Sequence, residues 1–222
     1  MTMTPNLTFD EDSHTYRLDG RWLPGVTRVL SDMGYVRGAE YFTEESRVRG
    51  KQVHRACHLV DLHAPEAETL EEVLEVMDLG ETIQPYVAGW LWFKRSTGFK
   101  PIGHETALYL LDMNVAGTPD VWGTYPNGKW VLIDLKSWRG QGPKPTRASE
   151  LQVAGYKLML KQVGFDVDER VIVKLPGDGK FRSYQCKNPM DEPLFRSCCF
   201  IWHDRANNKL IDGLEGPSEV EE

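Results

Sequence analysis

The sequence predicts an α/β protein in which a mixed β-sheet is flanked by helices. Two observations indicate this class. Apolar residues recur at helical spacing over residues 39–98, and β-prone apolar runs separated by turn residues then fill residues 106–137. From residue 148 onward, a helix, two strands and a closing helix are indicated in turn. This order predicts a mixed sheet with a helical elaboration on its N-terminal side.

Two short elements are expected near the N-terminus. Residues 8–23 have the pattern of a short hairpin, because the turn dipeptide Asp19-Gly20 divides two β-prone runs. Residues 24–34 then carry apolar side chains at helical spacing, which predicts one short helix.

Three longer helices are expected next. Residues 39–63 place apolar side chains on one helical face and charges elsewhere, and residues 70–79 form a second, acidic helix. The third begins near Pro85, because proline is favoured in a first helical turn, and it runs to Gly98. These helices make up the predicted N-terminal elaboration.

Strand patterns dominate the second half of the chain. Residues 106–111 are predicted as the first strand, residues 115–125 as the second and residues 129–137 as the third, with turn residues between them. The remaining predicted elements are a helix at 148–162, strands at 171–175 and 181–186, and a helix at 191–210.

The composition is that of an ordinary globular chain. Of 222 residues, 41% are apolar and 27% charged, which excludes a disordered or collagen-like protein. We expect one domain over residues 1–210 and an acidic, disordered tail over residues 211–222. Because the chain has neither a bilayer-spanning apolar run nor a secretory N-terminus, a cytoplasmic location is expected.

The net charge of −7 is unevenly distributed. Eight acids and no Lys or Arg lie within residues 61–81, and five more acids lie within residues 211–222, which leaves +6 on the remainder. The bases form two runs, at residues 47–55 and 136–147. One such run is ordinarily a solvated face, but two runs that flank one candidate site favour a nucleic-acid partner.

The loop Pro126-Asn127-Gly128 predicts the register of the second and third strands. A three-residue loop with glycine in the left-handed position brings Asp120 opposite Asp134. Opposed residues share a face about 4.5–5.5 Å apart, and Lys136 points to that same face. Two carboxylates this close repel unless a cation or shared proton intervenes, and such oxygen ligands suit Mg²⁺ or Mn²⁺.

A surface salt bridge is the competing interpretation of these residues. Asp-x-Lys is a common tripeptide, so Asp134 and Lys136 could pair at the surface beside an unrelated turn residue, Asp120. Because Gly117-Thr118-Pro119 precedes the opposed Asp120, the pattern leaves the salt bridge and a catalytic site equally open.

The same residues resemble a known family, the PD-(D/E)xK nucleases. Pro119-Asp120 is followed fourteen residues later by Asp134-Leu135-Lys136. The segments AGTPDVWG and IDLKS around these residues, followed by Gln152-x-x-x-Tyr156, are similar to the RecB-like branch. That branch also carries an upstream Gly-x-x-x-His, which Gly50 and His54 match.

The N-terminal segments resemble phage-encoded, single-domain members of this branch. They are His14-x-Tyr16-x-Leu18-Asp19-Gly20 and Pro24-Gly25-Val26-Thr27. The resemblance covers about residues 8–186 and implies a restriction-endonuclease-like core.

The resemblance implies a metal-dependent DNA nuclease that binds one or two Mg²⁺ or Mn²⁺ ions. The implied metal ligands are His54, Asp120, Asp134 and the Leu135 carbonyl. The ions would lower the pKa of a bound water and stabilise charge on the scissile phosphate. Lys136 would orient that water or stabilise the developing charge. Glu105, at the start of the first predicted strand, either contacts a metal through water or is a solvated strand end.

The resemblance also implies a set of DNA contacts. Gln152 and Tyr156 share a helical face, on which Gln152 would meet the surroundings of Lys136 or a phosphate and Tyr156 the DNA backbone. Tyr156 is equally interpretable as a core aromatic. The other implied DNA contacts are Arg49, Lys51, Arg139, Lys144, Arg147 and Trp138. Among these, Trp138 would stack on a single strand.

Residue spacing disfavours two other metal centres. His54, His58 and Asp61 have zinc-like spacing but lack the general-base glutamate of zincins. Some RecB-like relatives hold an iron–sulfur cluster on four cysteines. The cysteines of this chain are Cys57, Cys186, Cys198 and Cys199. Their spacing does not suit such a cluster, and none is expected.

The predicted function is hydrolysis of DNA phosphodiester bonds by an exonuclease, at duplex ends or in single strands, during phage-type recombination, repair or replication. One alternative is a catalytically inactive nucleic-acid-binding module of the same fold, which the intact Asp120, Asp134 and Lys136 disfavour. Another is a non-nuclease hydrolase, which the basic flanks disfavour. The expected partners are DNA and a recombinase or single-strand-binding protein, with no membrane association.

Overall fold

The computed structural model describes residues 6–10, 13–36, 43–138 and 144–211. The first two of these ranges contain a small antiparallel sheet in the order β1-β2-β3. Its strands are β1 (Leu7–Asp10), β2 (Thr15–Leu18) and β3 (Arg21–Leu23). The predicted Asp19-Gly20 turn is confirmed, with φ of 49° and 80°. However, the predicted hairpin is in fact three strands, because β2 pairs with both β1 and β3.

Four helices follow this small sheet. They are α1 (Val26–Asp32), α2 (Glu44–His63), α3 (Leu70–Val76) and α4 (Gln84–Thr97). The Thr43 side chain caps α2, and Thr69 and Glu72 form a capping box on α3. As predicted, α4 has proline in its first turn and ends at Gly98, whose φ is 67°.

Short strands then alternate with turns up to a long central strand. They are β4 (Lys100–His104), β5 (Leu108–Leu110), β6 (Val115–Gly117), β7 (Val121–Thr124) and β8 (Trp130–Ser137), and a 3₁₀ turn joins β5 to β6. The chain continues with α5 (Arg147–Gln162), β9 (Glu169–Leu175), β10 (Arg182–Gln185) and α6 (Asp191–Asn207).

The main sheet has five strands in the order β10-β9-β8-β7-β4. Only β8 and β9 are parallel, and α5 connects them, while the other neighbours are antiparallel. The predicted mixed sheet is therefore confirmed. One face packs on α1, α5 and α6 through residues such as Leu132 and Ile172. The other packs on α2 and α4 through residues such as Ile133 and Val173.

The strands differ from the prediction in three respects. The segment expected as the first strand does contain a strand, β5, which pairs with β6 in a separate two-stranded sheet. The edge of the main sheet is β4, which was not predicted because Pro101 and Gly103 interrupt its apolar pattern. The strand expected over residues 115–125 is broken at Thr118-Pro119-Asp120 into β6 and β7, which lie in different sheets.

No helix in the described ranges has both the length and the apolar character that a membrane crossing requires.

Candidate active site

The β7–β8 hairpin has the register that its loop predicts. Tyr125 N–H donates to the Lys129 carbonyl at 3.0 Å, and Gly128 has a φ of 82°. The strands pair Val121 with Ile133, so the next residues in this register are Asp120 and Asp134. A local turn thus brings two acids together at one end of the central strands.

Asp134 is the most deeply buried acid of this site, with no exposed surface. The Lys136 ammonium donates to Asp134 Oδ1 at 2.9 Å. Asp134 Oδ2 is also buried and has no hydrogen-bond donor within the described part of the chain. Leaving a carboxylate oxygen buried and unsatisfied costs free energy, which a bound cation at this oxygen would recover.

Asp120 is held by both the hairpin and helix α2. Its Oδ2 accepts the Leu135 backbone N–H at 2.7 Å, and its Oδ1 lies 3.5 Å from His54 Nδ1. Helix α2 passes close to the end of β8, since a Cβ at Gly50 would lie 3.7 Å from Ser137 Oγ. The structure therefore brings His54 to the carboxylate pair, as the Gly-x-x-x-His resemblance implies.

Helix α5 adds an amide and a phenol to the site. Gln152 Oε1 accepts a hydrogen bond from Lys136 Nζ at 3.3 Å, and Gln152 Nε2 donates to the Tyr156 hydroxyl at 2.9 Å. Because Tyr156 is only 5% exposed, it is a core aromatic as well as a member of this chain of hydrogen bonds. The interpretation of Tyr156 as a core aromatic is therefore confirmed, and its contact with the DNA backbone stays a prediction.

The two carboxylates differ in acidity. Burial raises the pKa of Asp134 to about 6, and Asp120 adds to the rise, although Lys136 opposes it. Burial would also raise the pKa of Asp120, but the charge and hydrogen bond of His54 outweigh burial, and the pKa is lowered. The same contact raises the pKa of His54 against the effect of its own burial. The pKa shifts of His54 and Asp120 thus both favour a charged contact between them, whereas burial favours the protonated form of Asp134.

These groups fit a hard divalent cation. No group of three or more His, Cys, Asp or Glu side chains among the described residues is already gathered as a metal cluster. Nevertheless, the unsatisfied Asp134 Oδ2 lies near a second carboxylate, Asp120, and carboxylate oxygens are the ligands that Mg²⁺ and Mn²⁺ prefer. The Leu135 backbone N–H donates to Asp120, and the role of the Leu135 carbonyl stays a prediction.

Glu105 lies beside the site, next to Asp120 and His58. It follows β4 in a bend with a φ of 35°, not at the start of a strand as predicted. Its N–H donates to the Asp120 carbonyl at 3.0 Å, while its carboxylate lies 3.7 Å from His58 Nδ1. The carboxylate is more than a third exposed, so its direct neighbour is His58 and solvent.

The zinc-like trio on α2 does not converge. His54 faces Asp120 and His58 faces Glu105, whereas Asp61 is buried in an ion pair with Lys94 and accepts the Trp90 indole N–H. A lysine partner occupies the carboxylate that a zinc ion would need.

The basic residues predicted to contact DNA occupy different environments. Arg49 has a buried Nε without a hydrogen-bond partner, whereas Lys51 and Lys144 are exposed. Arg147 pairs with Glu150 and with the buried Asp191, so it ties α5 to α6. Arg139 lies outside the described residues.

Trp138 is half-buried at the end of β8, and the Lys174 ammonium lies 5.0 Å from its ring centre. The strand registers pair Lys136 with Lys174 and Lys174 with Arg182. Paired residues share a sheet face, so three cations form a row from the centre of the sheet to its edge. Lys174 and Arg182 were not predicted, because no local pattern reveals pairing between strands separated by a helix.

A mixed sheet flanked by helices, whose central hairpin carries two carboxylates and a lysine, defines a restriction-endonuclease-like fold. The family model of the PD-(D/E)XK nuclease superfamily matches residues 32–197, and the chain belongs to this superfamily. Membership indicates a nuclease, that is, a phosphodiester hydrolase.

More distant likenesses add little. One matching solved structure is that of SSO0001, with 16% sequence identity and a TM-score of 0.33. The match covers 53% of this chain and 50% of SSO0001, so the chain spans about half the length of that protein. Likeness at this level supports no functional argument. None of the curated proteins matches the sequence.

Proposed function

We propose that the protein is a Mg²⁺- or Mn²⁺-dependent deoxyribonuclease of the RecB-like branch, and that residues 1–210 form its nuclease domain. The observation that carries the proposal is the buried, unsatisfied Asp134 Oδ2 in one cluster with Asp120, His54 and Lys136. A surface salt bridge does not account for this arrangement, because Asp134 has no exposed surface.

The chain's own groups divide the work of hydrolysis. Asp134, Asp120, His54 and the Leu135 carbonyl would hold one or two divalent ions. When bound, these ions supply a water of lowered pKa and positive charge at the scissile phosphate. Lys136, about a third exposed, donates hydrogen bonds from Nζ to the attacking water or to a phosphate oxygen. Gln152 orients that ammonium through its Oε1.

Glu105 is the outermost acid of the proposed site. Because its carboxylate lies 3.7 Å from His58 and is partly exposed, it can reach a metal only through water. This supports the proposed outer role for Glu105 rather than direct ligation.

DNA recognition is proposed to rest on cations around Lys136. Lys136 and Arg182, at the two ends of the row, and the exposed Lys51 and Lys144 would neutralise phosphates. Lys174, between them, is only 6% exposed and lies against the Trp138 ring. Gln152, Tyr156, Arg49 and Trp138 remain proposed contacts, as does Arg139. Arg147 would contribute mainly by positioning α5, because both of its partners are acids of the protein itself.

An exonuclease acting at ends or single strands in phage-type recombination, repair or replication is the proposed mode. This finer proposal rests on the RecB-like and phage-type resemblance, as do a cytoplasmic location and a recombinase or single-strand-binding partner. An inactive binding module remains the alternative.

Digestion of end-labelled linear DNA and closed circular DNA, each with Mg²⁺ or Mn²⁺, tests the proposal. We expect progressive shortening of linear DNA and an intact circle, and no cleavage by Asp134→Ala. Cleavage of the circle would overturn the exonuclease mode. Tight DNA binding without hydrolysis under either metal would favour the binding module, and equal cleavage of RNA would remove the DNA specificity.

A further inference from the structure

A cavity of about 220 Å³ lies next to the candidate active site. Its walls come from the β1–β2 turn, strands β2 and β3, the start of α1, the end of β6 and one residue of α5. Pockets for drug-sized ligands usually measure about 300–1,000 Å³, so this one has room for about one ring system. It is built by the N-terminal segments to which the proposed chemistry gives no role.

Two tyrosines in the walls of the cavity connect it to the segments that carry the candidate catalytic groups. The Tyr16 hydroxyl lies 2.9 Å from Thr118 Oγ1, two residues before Asp120. On the other side, Tyr156 accepts from Gln152, which in turn accepts from Lys136. A ligand group in the cavity would therefore be a neighbour of the phosphate at the metal site.

Small residues allow the two tyrosine rings to form the floor of the cavity. A Cβ at Gly117 would lie 2.6 Å from Tyr156 Cε1, and a Cβ at Gly25 would lie 3.2 Å from Tyr16 Cε2. Contacts below 3.0 Å require a shift, so any side chain at Gly117 would displace the Tyr156 ring.

The lining combines aromatic faces with hydroxyl groups. Trp22 is half-buried in the wall, and His14 is exposed at the mouth with a φ of 52° and its ring edge-on to Phe9. Hydroxyls come from Ser13, Thr15 and Thr27. A flat heterocycle with polar edges matches this lining, because rings stack on it and hydroxyls bond its edges.

The charge around the cavity permits an anionic chain. None of the described lining residues is acidic, and the lining residue Arg28 is paired with Asp32, whose Oδ2 lies 2.6 Å from Arg28 Nε. Burial, and then the charge of Lys51, lower the pKa of His14, which indicates that this lysine lies near the mouth. The acids Glu105 and Asp61 lie elsewhere, beside His58 and Lys94 respectively. An anionic backbone at the cavity would therefore meet Lys51 and no acidic side chain among the described lining residues.

We propose that this cavity binds the base of the nucleotide adjacent to the scissile phosphate, in a single-stranded stretch of DNA. The inference rests on the proposed nuclease function and identifies its substrate as an unpaired strand. A base that is paired and stacked in a duplex cannot enter such a cavity without being extruded.

Photo-cross-linking tests the placement without requiring catalysis. The Asp134→Asn full-length protein would be irradiated with oligothymidylates that carry 5-iodouracil at one position at a time, and the cross-linked peptide identified by mass spectrometry. We expect one position to label His14, Tyr16 or Trp22. Labelling confined to Trp138, or to residues outside the cavity, would overturn the inference while leaving the proposed nuclease intact. If the cavity is labelled but the wild-type protein cleaves no DNA with Mg²⁺ or Mn²⁺, the proposed nuclease function is overturned and the base-binding cavity is retained.

A matched pair of variants tests the same idea by affinity. Thr27→Phe fills the cavity, whereas Ser31→Phe adds the same ring four residues along α1, outside the lining. Replacing the base at the cross-linking position by an abasic site should weaken binding about tenfold for wild type and Ser31→Phe, but not for Thr27→Phe. Equal wild-type affinity for the abasic and intact strands would contradict base binding here.

Discussion

The Leu135 backbone N–H donates to Asp120 Oδ2 at 2.7 Å, so the strand that carries Asp134 also holds the other carboxylate in place. This bond uses one oxygen of Asp120 and leaves Oδ1 facing His54. The separation of the two acids is therefore set by backbone atoms of the hairpin rather than by flexible side chains. Such preorganisation of the two carboxylates is what a metal site requires.

Replacing Asp134 should stabilise the metal-free protein at pH 8. A buried acid whose pKa is raised to about 6 contributes stability that is present below its unfolded value of 3.8 and lost as pH rises through 6. Asp134→Asn avoids this loss of folding free energy. With a pKa of about 6 in the folded protein against 3.8 in the unfolded chain, the loss is at most about 3 kcal/mol. Urea unfolding should show the gain at pH 8 and little difference at pH 4. Asp166→Asn, on an exposed surface pair, serves as the control. A less stable Asp134→Asn at pH 8 would refute the assigned burial cost.

Metal binding should weaken as pH falls through 6. Asp134 must lose its proton to bind a cation, and its raised pKa places that step near pH 6. Asp120, whose pKa is lowered, stays ionised over this range. Calorimetric titration with Mn²⁺ should therefore show affinity rising from pH 5 to pH 8 and reaching a plateau. Asp134→Asn should show a smaller rise, because only His54, whose pKa is raised, still has to lose a proton on binding. A pH-independent affinity for wild type would place the metal elsewhere.

Gln152→Leu should lower kcat about tenfold, because the Lys136 ammonium loses the Oε1 acceptor that orients it. Gln152→Glu, which keeps an acceptor, should retain more activity. Single-turnover cleavage of a labelled strand measures both. Gln162→Leu on the same helix loses bonds to Leu111 and Tyr109 but should leave kcat unchanged in the folded fraction. Equal effects at the two glutamines would make the role of Gln152 merely structural.

Lys94→Met should destabilise the fold by about 3–5 kcal/mol, because it leaves the Asp61 carboxylate buried without its cation. The matched control is Lys129→Met. Its partner is Glu169 and its side chain is 51% exposed, so solvent screens the pair and the expected loss is much smaller than for Lys94→Met. Chemical denaturation compares the two variants. Similar losses of unfolding free energy in the two variants would show that the Asp61–Lys94 pair contributes no more than an exposed salt bridge.

Arg182→Gln should weaken DNA binding and reduce the salt dependence of log Kobs by roughly 0.7 to 0.9 for each lost phosphate contact. Arg95→Gln removes an equally exposed cation from the last turn of α4, on the opposite side of the main sheet, and should change neither quantity. Fluorescence anisotropy at several salt concentrations measures the slope. An unchanged slope for Arg182→Gln would move the strand away from this row.

Local chemistry explains what the sequence could predict. The three-residue loop ending in Gly128 determines the hairpin register, so the juxtaposition of Asp120 and Asp134 follows from neighbouring residues alone. The helix caps and the left-handed Gly98 are equally local. These features needed no knowledge of the rest of the fold.

Long-range pairing explains what could not be predicted. Strand β4 carries Pro101 and Gly103 and is recognisable only once it pairs with β7. The row through Lys174 and Arg182 depends on a parallel register across helix α5. Arg147 belongs to a basic run in sequence, yet its charge is paired with Asp191, 44 residues away. A local charge pattern cannot reveal such a partner.

The exposed loop Pro126-Asn127-Gly128 limits how this gene product can change in length. Side chains alternate between the two faces of a sheet. Adding or deleting one residue in the loop region would therefore move Asp134 and Lys136 to the sheet face opposite Asp120. Surface turns ordinarily accept insertions readily. This one should tolerate them poorly despite its exposure, and length variation among functional variants should instead collect in connections that do not lie between the two acids.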